Sequence, residues 1–280
     1  ATSPRCAARN SPPSSTASGS PIPSLSADPT VAPQETPPTP PITSEEAGPK
    51  PGATEIIAER TDRSQTYDNH DGTRTTEFYV EPVFYKPEGS DTYQPIELGF
   101  QATTADGLDA ISDKSPISVG LAESTSVDNF LRLRDGAQRI GFAMPADLAR
   151  DATPVRPTIN GRVADYRDFL PRIDLRVIAN ADGAKSFFIW HTNPADPTLR
   201  YVVDAPGLTL VPKDDGSISL VDRNNKEVAS IPRPYAVDST VNELSGGGRY
   251  TDKVTLALAS DGKTITVAVD PEWLRTAVYP

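Results

Sequence analysis

Cysteine is almost missing from this 280-residue chain: Cys6 stands alone, so an intrachain disulfide framework and a cysteine-based zinc site are both excluded. Two histidines, His70 and His191, are too few for a histidine-rich metal centre. No run approaches the roughly 18 consecutive apolar residues of a membrane-spanning helix, so no membrane span is expected. Basic clusters are lacking too, and the formal net charge is −11. Phosphate backbones attract Lys and Arg patches, so no nucleic-acid partner is expected from this balance. Phosphate loops, dinucleotide fingerprints and the Gly-x-Ser-x-Gly elbow of serine hydrolases are also absent.

Proline, by contrast, is plentiful and unevenly placed. Residues 1–52 hold 13 of the 29 prolines and no aromatic residue, and Pro, Ser and Thr make up 28 of those 52 positions. Such a stretch cannot bury enough surface to offset its ordering entropy. It is expected to be a disordered linker or stalk, held semi-rigid by proline. Ser11-Pro12, Ser20-Pro21, Thr36-Pro37 and Thr39-Pro40 suit a secreted or wall-crossing spacer. Neither a start Met nor an apolar signal region precedes it, which fits a removed signal peptide or a fragment.

From about residue 65 the texture turns to alternation punctuated by Asp-Gly: 71–72, 106–107, 135–136, 182–183, 215–216 and 261–262. Asp tolerates the left-handed region and Gly populates it freely, so the pair marks a hairpin where strands flank it. Val254–Leu258 and Thr264–Val269 flank one pair with period-two alternation; 208–211 and 217–221 flank another. Ile173, Leu175 and Val177 alternate ahead of Asp182-Gly183, after which Phe187-Phe188-Ile189-Trp190 resumes. A strand is expected over 76–85, placed at an edge or a bulge by Pro82. One short helix is expected at Asp270–Leu274, capped by Asp270 with Pro271 in its first position. The fold class is therefore all-β: an antiparallel, hairpin-rich β-sandwich over 53–280, as one large sandwich or two small ones.

The run Val163-Ala164-Asp165-Tyr166-Arg167-Asp168-Phe169-Leu170-Pro171-Arg172-Ile173-Asp174-Leu175-Arg176 resembles a Y-x-D-v-x-p-g-v-D-l-r-y segment. Such segments stand near the start of large secreted bacterial proteins that carry Rhs/YD repeats or DNRLRE-type domains. Further matching pieces follow in order: Asp182–Lys185, Ala205–Leu210, Asp215–Ile218, Ile231–Pro234 with Asp238, and Asp270–Leu274 with Tyr279-Pro280. Upstream, Asp71–Thr73 and Gln94–Leu98 resemble the opening hairpin. The likeness covers roughly 65–280, and the order of the pieces carries it. Arg172 replaces the family's Gly, and Ser186 stands where an acid commonly follows Lys. The resemblance implies a module of a longer secreted or wall-associated protein, so that the chain would be cut off at its C-terminus. It implies downstream domains of the same polypeptide as partners and an extracellular or wall-associated location.

Candidate chemistry is sparse. Asp68-Asn69-His70-Asp71-Gly72 has oxygen ligands at alternate positions, as in a calcium loop, but lacks the distal acid; a solvated turn is the plainer reading. Asp165, Asp168 and Asp174 offer carboxylates for glycoside hydrolysis. Alternation puts Asp174 on a polar outer face with Arg172 and Arg176 as ion-pair neighbours. His191 with Ser186 and an Asp would be needed for a nucleophilic triad. Tyr79, Phe84, Tyr85 and Tyr93 suit either a sugar platform or a core. Trp273 is read as a plug beneath the last hairpin. The expectation is a non-catalytic structural or presentation module: not an enzyme, with no catalytic, metal or cofactor residues. The alternatives are a carbohydrate- or calcium-binding adhesive sandwich with cell-wall or surface glycans as partners and, more weakly, a glycoside hydrolase.

Overall fold

All six Asp-Gly pairs lie at connections between antiparallel partners. The chemistry at these turns is local. Asp71 Oδ1 accepts the Thr73 amide at 3.0 Å, Asp215 Oδ1 accepts that of Ser217 at 2.9 Å, and Asp261 Oδ1 accepts that of Thr264 at 2.8 Å. The carboxylate thus stands in for a turn acceptor, while Gly72, Gly216 and Gly262 take up the positive φ that follows. The computed structural model describes residues 48–280 except 127, 151 and 242–246. The expected stalk therefore lies, but for 48–52, outside the described residues. The described residues group as one compact unit.

The frame of that unit is an eight-stranded sheet. In spatial order its strands are Val254–Leu258, Thr264–Val269, Thr198–Asp204, Gln138–Ala143, Leu131–Asp135, Ser118–Leu121, Ala110–Ser112 and Gln101–Ala102, each antiparallel to its neighbours. The chain leaves this meander twice. Between Gln138–Ala143 and Thr198–Asp204 it forms a four-stranded sheet of Thr158–Asn160, Val163–Leu170, Ile173–Asn180 and Gly183–Trp190. Between Thr198–Asp204 and Val254–Leu258 it forms a three-stranded sheet of Thr209–Pro212, Ile218–Val221 and Glu227–Ile231.

Register sets which face each excursion covers. Ile140 pairs with Leu133, Phe142 with Val203, Leu199 with Val267 and Leu256 with Val267, so one face of the large sheet is an apolar stripe across its strands. The four-stranded sheet buries Tyr166, Leu175, Val177 and Ala179 against Val119, Leu121 and Leu131. The three-stranded sheet buries Leu210, Ile218 and Leu220 against Ile140, Val203 and Ile265. Each such side chain contributes roughly 1.5–3 kcal/mol on burial. The architecture is the expected antiparallel sandwich, with two small sheets laid side by side on one large one.

Two local expectations differ in outcome. Asp270 caps a helix over Pro271–Thr276 and accepts the Glu272 amide at 3.0 Å, as its sequence dictates. The expected strand over 76–85 is instead two: Arg74–Phe78 ends at the edge of a three-stranded sheet with Thr54–Glu55 and Ser64–Asp68, and Phe84–Tyr85 pairs separately with Gln94–Pro95. Pro82 lies in the break, where it has no ladder amide to give up.

Candidate functional site

The two small sheets do not meet. Gly183–Trp190 is the edge strand of one and Glu227–Ile231 that of the other, and both line a single cavity of about 1060 Å³. Its floor is the middle of the large sheet's apolar stripe, where Leu133, Phe142, Tyr201, Leu256 and Val267 stay half-buried because neither excursion covers them fully. Trp190 and Trp273 line it as well, each with a buried indole nitrogen that has no hydrogen-bond partner among the described residues. The last residues, Ala277–Pro280, complete the lining.

Asp238 holds that terminal segment in place. Its carboxylate accepts the amides of Arg249 at 2.8 Å, Thr240 at 3.1 Å and Val278 at 3.3 Å, and pairs with the Arg249 guanidinium at 3.2 Å. Burial pushes its pKa up, but these donors outweigh burial and leave it below the usual carboxylate range. The Ser239 amide donates to the Val278 carbonyl at 2.8 Å beside it.

A second cluster gathers residues singled out in the sequence. Asp174 does lie on the face opposite Leu175, yet it is only 4% exposed. The preceding hairpin folds over it: register shifts between Tyr166 and Leu170, and Asp168 and Arg172 take φ of 50° and 63°. This corrects the solvated-face reading. Asp174 accepts the Asp168 amide at 2.8 Å and contacts Arg167 at 2.7 Å and His191 Nε2 at 3.1 Å, while Arg176 turns instead to Asp165 at 2.7 and 3.1 Å. Burial raises its pKa, and those three donors more than reverse the effect. Asp165 and Asp174 are thus each engaged by an arginine. Ser186 pairs across its ladder with Val177, five residues along the strand from His191, roughly 16 Å at about 3.3 Å per residue, so no triad assembles from this pair.

The other candidates are also placed. Asp68 accepts the His70 amide at 2.9 Å and Asp71 pairs with Lys50, so both carboxylates of that loop serve turns and an ion pair. Phe84 is buried, edge-on to Tyr79 at 6.4 Å and beneath the Arg60 guanidinium at 4.8 Å. Tyr79, Tyr85 and Tyr93 are half-buried beside it rather than ranged as an exposed platform. Trp273 packs on Val254, Val269 and Leu274, the last of these fully enclosed, and walls the groove at the same time. Sequence reasoning missed the groove, although Phe187-Phe188-Ile189-Trp190 signalled it: an edge strand apolar on both faces is not simply facing water.

No family model and no solved structure matches the chain. It is similar to a stretch of wall-associated proteins. The tRNA nuclease WapA of Bacillus subtilis is 23% identical over 239 residues, and the tRNA3(Ser)-specific nuclease WapA of Bacillus spizizenii 24% over 239; each match takes in 81% of this chain and 10% of the relative. A wall-associated protein of Geobacillus stearothermophilus is 25% identical over 205 residues, 70% of this chain and 79% of that one. The chain thus spans about a tenth of the length of the Bacillus relatives.

Those names overturn two expectations. The chain was expected not to be an enzyme and to meet no nucleic acid, but three of its relatives are named as tRNA nucleases. Net charge and the poverty of catalytic residue types describe this chain; they do not bound the chemistry of relatives of whose length it spans a tenth. No helix among the described residues is long and apolar enough to cross a membrane.

Proposed function

We propose that this chain is a structural and presentation module within a longer wall-associated polypeptide of the Rhs/YD-repeat class, residing at the cell wall or outside the cell. Residues 1–52 serve as its spacer and 53–280 as its folded body. The observation that carries the reading is the coverage: 81% of this chain aligns with a tenth of each Bacillus relative. The ordered segments from Val163 to Pro280 favour the repeat-bearing class. On this reading the longer polypeptide, like those relatives, acts on tRNA.

Antibody raised against the chain and applied to wall and soluble fractions of the host tests this. A wall-fraction band far above 30.0 kDa is expected, and the protein purified from it is expected to cleave tRNA. A 30.0 kDa band confined to the soluble fraction overturns the reading, and intact tRNA overturns its nuclease part. Surface glycans are a second partner, favoured by Tyr235 and Tyr250, whose exposed rings lie 5.5 Å apart. Retention on peptidoglycan that survives Tyr250→Ala removes this pair from consideration.

A further inference from the structure

Hydrogen-bond phase shows what the groove presents. The His191 amide donates to the Arg172 carbonyl at 3.0 Å, which fixes that pair as a bonded one. Antiparallel pairs alternate, so 183, 185, 187 and 189 turn their backbone groups to the Ile173–Asn180 strand. Ala184, Ser186, Phe188 and Trp190 turn theirs into the groove, where their amides have no partner among the described residues. On the opposite wall the Lys213 amide donates to the Ser217 carbonyl at 2.9 Å. Ser219, two residues on, therefore faces the Thr209–Pro212 strand, and Ser230, its partner across the ladder, faces the groove. Two ladders stop at the same gap, above an apolar floor.

A cavity of about 1060 Å³ exceeds the ~300–1,000 Å³ typical of small-molecule pockets. Its walls offer rows of amides and carbonyls instead of a few convergent polar groups. The occupant that satisfies both rows and the floor together is one extended strand with apolar residues at alternate positions. The proline-dense stretch 1–52 is unsuited, since each proline removes a donor. Ala277–Pro280 already line the cavity, and the Val278 amide is tied to Asp238 at its wall.

We propose that the groove receives a β-strand from the polypeptide adjoining Pro280 in the longer wall-associated protein, joining the four-stranded and three-stranded sheets into one continuous layer. This rests on the reading under Proposed function. It makes the module's fold and its attachment to the following polypeptide a single interaction.

The test titrates the full 280-residue chain with a synthetic peptide of the ~10 residues adjoining Pro280 in the host protein, long enough to follow the ~20 Å from Ala184 to Trp190 at about 3.3 Å per residue, with a scrambled peptide beside it. Trp190 and Trp273, the chain's two tryptophans, both line the groove, so a saturable blue shift of their emission is expected. Amide exchange is expected to slow at Ala184, Ser186, Phe188 and Trp190 and to change little at the intervening residues. Ser186→Pro removes a groove-facing amide but no ladder bond; it is expected to weaken binding roughly tenfold or more while the melting temperature holds. Should that variant melt early, Ser230→Pro on the opposite edge serves in its place. The proposal is overturned by a shift that does not saturate, by equal binding of the scrambled peptide, by unaltered exchange along 184–190, or by self-association of the free chain that protects the same amides. A host protein no longer than this chain overturns the reading of a longer polypeptide; a longer one that ends at Pro280, or whose peptide does not bind, overturns only the groove.

Discussion

Nε2 of His191 lies 3.1 Å from Oδ2 of Asp174, a carboxylate that the chain has otherwise enclosed. Asp174 is held ionised by this ring, by Arg167 and by the Asp168 amide, so its folded pKa falls below the ordinary 3.8. A depressed value stabilises the fold above 3.8, and that stabilisation is lost as pH falls through the folded value. Asp174→Asn is expected to cost about 1–3 kcal/mol near neutral pH, the usual cost of leaving buried donors unpaired. Urea unfolding of both proteins across a pH series checks it: the gap between them should narrow as pH drops below 3.8. A constant gap would show that the charge is not what the cluster uses.

Trp273 packs on Val254, Val269 and Leu274 from the helix that Asp270 caps, and its indole nitrogen is enclosed without a partner among the described residues. Trp273→Ala should therefore lower stability by about 3 kcal/mol, the low end for a large aromatic truncation. Trp273→Phe should cost much less, because it keeps most of the ring and discards the unpaired donor. Thermal melts of the pair separate packing from hydrogen bonding.

Gly141 faces the side chain of Asn129, which is itself buried and held at a φ of 78°. A methyl group at 141 would collide with that amide, so Gly141→Ala is expected to cost about 1–3 kcal/mol. Asn129→Gly removes the obstacle and suits the backbone angle. The double variant should recover most of the loss, and a double-mutant cycle measures the coupling.

Arg134 and Arg139 stand directly opposite one another across two strands of the large sheet. Like charges in that position oppose pairing, so Arg134→Glu should raise stability by about 0.5 kcal/mol. The gain should fade in high salt, and melting temperatures at two ionic strengths would show it.

Much of this fold is legible because its turns are chemical. Asp-Gly fixes the hairpins by a carboxylate acceptor and a residue free to take positive φ, and Asp270-Pro271 fixes the last helix by the same kind of local bonding. Asp174 was misread because alternation reports which face a residue takes and not what folds over that face; the strained turn at Asp168 and Arg172 supplies the cover. The groove was illegible for another reason. It exists because Gln138–Ala143 pairs with Thr198–Asp204 across a long excursion, and period-two patterns carry no record of distant pairing. The expectations about enzyme and nucleic acid failed on scope, since composition speaks for the residues counted and no others.

The placing of Thr198–Asp204 between Gln138–Ala143 and Thr264–Val269 has a kinetic consequence. Each excursion is a meander of near-neighbour contacts that can zip by itself, with little loop entropy to overcome. The central strand cannot: both of its partners lie beyond an entire small sheet in the chain. Closing the large sheet is therefore the slow, high-contact-order step: the first excursion leaves and rejoins at strands that end up side by side, and the second rejoins at Val254–Leu258, one strand beyond the Thr264–Val269 neighbour of Thr198–Asp204. A chain emerging from a translocation pore would present its hairpins early and its completed frame only once Thr264–Val269 had followed.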